Sequence, residues 1–503
     1  MSEGERVVRS VVRALVHGLI AGSVSLAVAD GLAAQGVEGP SYSLEQAIAI
    51  ALENNRELQD AQIGLETADH QVREAWGNAF PSVDATLSYQ RNLEVQEAFL
   101  PAIIFDPAAD PNEVIPVRFG ADNNWSAWVN VTQPLFDASV FVGVGAAGRF
   151  QAVQEESVRG QAQRVATRVR RAYYTALAAH ELVRVTQESI NRTEQTLKET
   201  RGLNRAGLAA NYDVLRLEVR LANLTPNLRR AANQAAAAER GLSVEMGLEE
   251  VTPVRVVGQL HQIDLATIEA NEGANRDLLR LVGYDDALSA SFEELFALAK
   301  GRRSDLRQAR LNVELEDARV RYERTNLYPR LSAFFSYGII AQENGALNFF
   351  GQNQNQRTTS AFIGVQLEVP IFSGFQRSSR VQQRQLGRRQ AEVRLELLEQ
   401  QAANEIRTAL EALEEARRRA EAQRTAVSEA RRGFEIVTSQ YLAGLSSQLD
   451  VTEGEVLLRE SEYNYAQAVF DYLMAQADLD DAIGVVPLVD ATRQGAERSS
   501  ISE

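Results

Sequence analysis

The feature that most constrains this chain is that it repeats itself. Phe80-Pro81-Ser82 through Tyr89 aligns with Tyr328-Pro329-Arg330 through Tyr337, 248 positions later. Val129 to Phe136 aligns with Val365 to Phe372 at an offset of 236. Ala206-Gly207-Leu208 with Asp213 aligns with Ala443-Gly444-Leu445 with Asp450 at an offset of 237. Asp213 to Gly247 and Asp450 to Gly484 both span 34 positions. A duplication of this kind requires each half to be built from the same elements. Each half reads as short helix, strand, loop, strand, long helix, glycine turn, short helix. The expected boundaries are a first repeat at 42–247, a connecting segment at 248–290 and a second repeat at 291–486. An export signal is expected over 1–34 and a flexible tail over 487–503.

The long helices carry a period of 3.5. Val158, Ala162, Val165, Val169, Ala172, Ala176, Ala179 and Val183 step alternately by four and three, as do Ala402, Ile406, Ala409, Leu413, Ala416 and Ala420. Such a repeat means left-handed coiling against neighbouring helices. At roughly 65 residues and 1.5 Å per residue, each helix reaches roughly 100 Å. The short helices, expected near 44–80, 212–246, 291–327 and 451–483, are each about half as long. Two stacked end to end match one long helix.

The strands carry a period of 2. Val83, Ala85, Leu87 and Tyr89 alternate with Ser82, Asp84, Thr86, Ser88 and Gln90. Leu331, Ala333, Phe335, Tyr337 and Ile339 repeat the pattern, and Ala361, Ile363, Val365, Leu367 and Val369 oppose Ser360, Gly364, Gln366 and Glu368. Trp125, Ala127, Val129 and Val131 alternate more weakly, with Trp128 on the polar side. One such strand fits a sheet with one face on a core. Four of them, framed by coiled-coil helices, fit apolar-out, polar-in strands of a membrane barrel. Four strands cannot close a barrel, so several chains must combine.

Composition narrows the rest. The 503 residues include no cysteine, which excludes disulfides, thiol nucleophiles, Cys-ligated metals and a lipid-bearing N-terminal cysteine. The net charge of −16 argues against a nucleic-acid partner. Mean hydropathy is −0.25, too polar for a bundle of membrane helices. Arg6, Arg9 and Arg13 precede an apolar run from Ala14 to Ala29 that is too short to span a bilayer. It reads as a secretory signal, cut near Ala29 or Ala34. A membrane crossing by this chain therefore has to be a closed β-barrel.

These features together resemble the TolC family of outer-membrane channel-tunnels. The residues that carry the resemblance are the Phe-Pro-Ser and Tyr-Pro-Arg strand starts, the strand ends Gln133-Pro134-Leu135-Phe136-Asp137 and Val369-Pro370-Ile371-Phe372-Ser373, and the two glycine turns with their following aspartates. The resemblance implies a mainly α homotrimer with a β membrane part. Three chains would give a 12-stranded barrel in outer-membrane lipid and a coiled-coil α-barrel in the periplasm. It implies a passive exit duct for a tripartite efflux pump or type I secretion system, working with a periplasmic adaptor and an inner-membrane transporter. It also places Gly207, Leu208, Gly444 and Leu445 at adaptor-docking tip turns. Tyr441 and Asp213 fall at a closed-state lock, and Asp450 and Glu453 at an acidic periplasmic constriction. The locking arginine of the family is replaced by Ser446. The glycines read equally well as left-handed turn residues, and the aspartates as helix caps. The remaining alternative is a coiled-coil scaffold of the cell envelope, which leaves the strands unexplained.

Other signals are weak. Gly143-Val144-Gly145-Ala146-Ala147-Gly148 satisfies a dinucleotide-binding spacing, but no βαβ unit follows, so it reads as a tight strand-to-helix junction. Glu155/Glu156, Glu293/Glu294, Glu414/Glu415 and Asp480/Asp481 read as solvated helix faces. His17, His70, His180 and His261 share no ligand spacing and complete no triad. The expectation is therefore no enzyme, no catalytic residue, no metal and no cofactor. Pro226 is expected to kink its helix, and the proline-bearing loop at 93–123 to lie outside the cell.

Overall fold

The computed structural model describes residues 40–110, 112–249, 254–263, 265, 291–345 and 357–485. The expected signal, most of the connecting segment and the expected tail lie outside the described residues.

The chain runs β1 (Ser41–Tyr42), α1 (Leu44–Asn54), α2 (Arg56–Gly77), β2 (Ser82–Arg91), β3 (Glu97–Pro101), β4 (Val114–Arg118), β5 (Asn123–Phe136), α3 (Ala138–Arg205), α4 (Asn211–Glu245) and β6 (Arg255–Val256). It continues with α5 (Phe292–Arg302), α6 (Ser304–Thr325), β7 (Arg330–Glu343), β8 (Arg357–Glu368), α7 (Gln376–Leu442) and α8 (Gln448–Ile483). The long helices α3 and α7 have 68 and 67 residues, as the heptads require. None of the described helices is long and apolar enough to cross a membrane.

The expected helices at 44–80 and 291–327 are each broken in two. Asn55 and Arg303 adopt extended backbone (ψ 125° and 119°). At the first break Asn55 accepts hydrogen bonds from the Glu57 and Leu58 amides, starting α2 afresh. Each break is where a helix-ending glycine comes close. A Cβ on Gly247 would meet the Asn54 carbonyl at 2.7 Å, and one on Gly484 would meet Arg303 Cα at 2.7 Å. Both glycines also have positive φ (71° and 74°), so only glycine suits these positions. That explains the equal 34-residue spacing in the two halves.

The main core lies where α1, α3, the end of α4, α7, α8 and the β1/β6 pair meet. Leu44, Val169, Tyr173, Leu242, Leu260 and Val469 are fully or almost fully buried there. A smaller cluster joins α5, α7 and α8 through Leu295, Ile406 and Leu479. Alanines at 402, 409, 416 and 420 form the buried seam of α7. Helix α4 continues through Pro226.

Strands β2-β5-β7-β8 form one antiparallel sheet in that order, leaving β2 and β8 as edges. The register puts the expected residues on shared faces. Ala85, Val129 and Tyr337 are paired across three strands, as are Asp84, Asn130 and Ser336 on the opposite face. The apolar face is open in the protomer: Leu87 is 76% and Ile363 81% exposed. The loop at 93–123 carries structure that the sequence reading did not foresee, an antiparallel β3–β4 hairpin.

Two expectations are corrected. Gly143, Gly145 and Gly148 lie within α3, which already starts at Ala138, so they form no strand-to-helix turn. Glu156 and Asp480 are not solvated; they are 6% and 2% exposed and paired with arginines. The seam positions of coiled helices hold charge here as well as alanine.

Candidate functional site

The two helical hairpins, α3–α4 and α7–α8, end in matching turns. Beyond α3, Gly207 has φ 75°, its amide donates to Asn204 O (2.9 Å), and the Leu208 amide reaches back to Leu203 O (2.9 Å). Beyond α7, Gly444 has φ 77°, its amide donates to Tyr441 O (3.0 Å), and the Leu445 amide reaches Gln440 O (2.8 Å). These paired bonds satisfy the last carbonyls of each helix, and the left-handed residue suits glycine. The pattern leaves Leu208 and Leu445 76% and 80% exposed. Each tip thus carries an exposed leucine on a turn closed by two backbone hydrogen bonds.

The helices that leave the turns start differently. At α8 the cap is Ser447, whose hydroxyl accepts from the Asp450 amide (3.2 Å). The Asp450 carboxylate accepts from the Ser447 amide (2.9 Å), the Ser447 hydroxyl (2.8 Å) and the Ser446 hydroxyl (2.9 Å). These donors, the backbone amide foremost, hold the Asp450 carboxyl below its usual range. At α4 the position before the helix is Ala210, with no hydroxyl, and Asp213 accepts only the Ala210 amide (3.3 Å). Glu453 lies exposed one turn into α8.

The sequence reading pairs Tyr441 with Asp213. The protomer does not make that bond. Tyr441 is buried on α7, and its hydroxyl lies 3.1 Å from Thr200 Oγ1 on α3. Asp213 is engaged with its own helix start, as described above. The two hairpins are thus tied at their tips by a tyrosine–threonine contact.

Above the tips lies a second tie that the sequence reading missed. Glu455 on α8 accepts from Ser189 on α3 (2.7 Å), pairs with Arg220 on α4 and lies 3.5 Å from Arg192 on α3. Glu462, seven residues on, pairs with Arg192 (3.0 Å) and with Arg431 on α7 (3.5 Å). Both carboxylates are under a tenth exposed. The signal was available: Val451, Glu455, Leu458, Glu462 and Tyr465 step by four and three, so the carboxylates occupy seam positions among buried side chains. A third buried pair, Arg170–Asp480, joins α3 to α8 higher up. Burial pulls the Arg170 pKa down, but Tyr174 and Asp480 outweigh it and hold the guanidinium above its ordinary value. Burial pushes the Tyr173 hydroxyl up to about 12.

No group of histidine, aspartate and glutamate side chains among the described residues has the geometry to hold a metal ion. The tips of the two hairpins thus combine exposed leucines, capping carboxylates and, above them, buried ion pairs.

The family model for the outer membrane efflux protein matches residues 47–248 and 295–485. The alkaline protease secretion protein AprF of Pseudomonas aeruginosa is 24% identical over 376 residues, covering 74% of this chain and 73% of its own. The toluene efflux pump outer membrane protein TtgC of Pseudomonas putida is 22% identical and covers 90% of each chain. Among solved structures, CusC superposes with a TM-score of 0.67 at 16% identity, covering 88% of this chain and 92% of its own. The CmeC outer membrane channel of Campylobacter jejuni gives 0.62 at 17% identity, covering 92% and 94%. With matched segments in both halves and the same fold in these channels, this chain belongs to the outer membrane efflux protein family.

Proposed function

We propose that three copies of this chain form an outer-membrane channel that is a passive exit duct for a tripartite efflux pump or secretion system. The observation that carries this reading is the four-stranded sheet. It has two unpaired edges and an exposed apolar face opposite a polar one. Open edges in lipid are costly, and closure is the remedy. Three copies would join β8 to the next β2 and give twelve strands. Phe80, Phe136, Tyr328, Phe372 and Phe375 are all at least half exposed where strands meet helices. Aromatic rings in that place suit the boundary between lipid and water.

In this reading each chain is a signal (1–34), two copies of one unit (42–247 and 291–486), a connecting segment (248–290) and a tail (487–503). The sheet crosses the outer membrane and α3 and α7 extend into the periplasm by about 100 Å. The family is one of channels, and transport needs no reaction in this chain. Gly207, Leu208, Gly444 and Leu445 offer the docking surface for the hairpin of a periplasmic adaptor, which links the duct to an inner-membrane transporter. Three copies of Asp450 and Glu453 focus a negative field at the mouth and favour cations there. Tyr441–Thr200 and the Glu455/Glu462 network hold the two hairpins together in the closed arrangement, and Asp213 shapes the first tip.

The test is to extract the chain from outer membranes and insert it in a planar bilayer. A heat-resistant, strand-containing trimer with discrete conductance is expected. A soluble, wholly helical product without conductance would overturn the reading.

A further inference from the structure

The polar face of the sheet is interrupted by three aromatic side chains that touch one another. Trp128 on β5 shares this face with Thr86, Gly338 and Ser360, to which it is linked by register. Phe334 on β7 and Phe362 on β8 lie on the same face. The Trp128 and Phe362 rings are 6.1 Å apart, and Phe334 and Phe362 meet edge-on at 6.2 Å. Trp128 lies directly over Gly338 and Phe334 over Gly364, so the rings lie against bare backbone. Phe362 has no such cradle and is 49% exposed. A carboxylate shares the face: Asp84 is linked through Asn130 and Ser336 to Phe362, while Glu368, six residues on along β8, is paired in register with Arg330.

Ring-over-glycine packing alone would explain Trp128 and Phe334, but not a third ring left half open beside them. Ring faces attract cations and stack with planar molecules, and a carboxylate on the same face adds to the attraction. We propose that Trp128, Phe334 and Phe362 form a contact site inside the barrel for planar aromatic cations in transit. This rests on the reading of the sheet as one third of a barrel with its polar face inward. Three copies would put a band of nine rings around the lumen at one depth. The site makes the barrel selective for the class of cargo that passes it, and does not leave all selection to the pump.

The experiment uses the full-length trimer in a planar bilayer, with ethidium and, as a non-aromatic cation, tetraethylammonium added on the side of the extracellular mouth. Ethidium should interrupt the current at concentrations where tetraethylammonium does not. Phe362→Ser should weaken that block by about fivefold to thirtyfold, the effect of losing one ring contact on a cation. Phe362→Trp should keep it. Equal block by both cations, or ethidium block untouched by Phe362→Ser but abolished by Asp450→Asn, would overturn the proposal and place the cation at the helical tips. Absence of any trimer or conductance in the unmodified protein would instead reject the channel reading itself, which separates the two failures.

Discussion

The two long helices have nearly the same length and the same heptad spacing, yet they live in different surroundings. Helix α3 buries twenty-two residues, including Tyr173, Tyr174 and Arg170, while α7 buries seven, of which five are alanine. Helix α3 is enclosed by α1, α2, α4, α6 and α8, whereas α7 packs against α5, α6 and α8. Large apolar side chains stay open on α7, among them Leu386, Val393 and Leu397, each at least half exposed. Their spacing of seven and four puts them on one stripe. One long helix is thus enclosed in the protomer, and the other keeps an exposed apolar stripe. In the trimer proposed above, that stripe is the surface open to the next protomer.

If this contrast is right, the largest effect comes from the enclosed helix. Asp480→Ala leaves Arg170 charged and buried without its carboxylate partner. It should cost about 3–5 kcal/mol, seen as a large drop in the midpoint of helix melting in detergent. The matching control on α7 is Arg418→Ala, which breaks the exposed pair with Glu414. That pair should contribute no more than about 1 kcal/mol. Equal losses at the two sites would mean that α7 is as enclosed as α3. The next effect concerns assembly. Val393→Glu together with Leu397→Glu should shift trimer to monomer in light scattering and leave the helix content of the monomer intact. A trimer of unchanged stability would remove α7 from the interface.

The sequence made the duplication, the long helices and the strand faces legible because each rests on a period, and periods survive in a single chain. The asymmetry between α3 and α7 was not legible. Both carry alanine-rich heptads, and which one is enclosed depends on the path of α1 and α2 back across α3. The breaks at Asn55 and Arg303 were hidden for a similar reason. They are imposed by Gly247 and Gly484, which arrive from some 180–190 residues away. At the candidate site, the repeated spacing marks the two glycine turns and the aspartate that follows each one. In the protomer the Tyr441 hydroxyl lies beside Thr200 on α3 and not beside Asp213, a neighbour that the spacing alone does not reveal. Glu455 and Glu462 were passed over because charged residues on helices were read as solvated, although their heptad positions placed them in the seam.

The same contrast of halves reappears at the tips, with smaller expected effects. Tyr441→Phe removes the hydroxyl that links α7 to Thr200 and should raise single-channel conductance or the frequency of opening. Asp213→Ala, which loses only a bond within its own hairpin, should change conductance less. An equal or larger change from Asp213→Ala would restore the tyrosine–aspartate lock expected from the sequence.

The smallest effect is a pH response confined to the second tip. The Asp450 carboxyl has a folded-state pKa below its unfolded value, held there by the Ser447 amide and the Ser447 and Ser446 hydroxyls. A depressed carboxylate stabilises the fold above its unfolded pKa and loses that contribution as pH falls through the folded one. The cap of α8 should therefore be intact from neutral pH down to the ordinary carboxylate range, and loosen only below it. Helix α4 starts at Ala210 with a single bond to Asp213, so its first turn has less to lose. Amide-exchange protection, corrected for intrinsic rates, should hold down to the ordinary carboxylate range of about pH 4 and fall below it in the first turn of α8. Asp450→Asn should flatten the α8 response, because the amide that replaces the carboxylate no longer titrates. Parallel loss at both tips would mean that the extra hydroxyls at Ser446 and Ser447 do not distinguish the two halves.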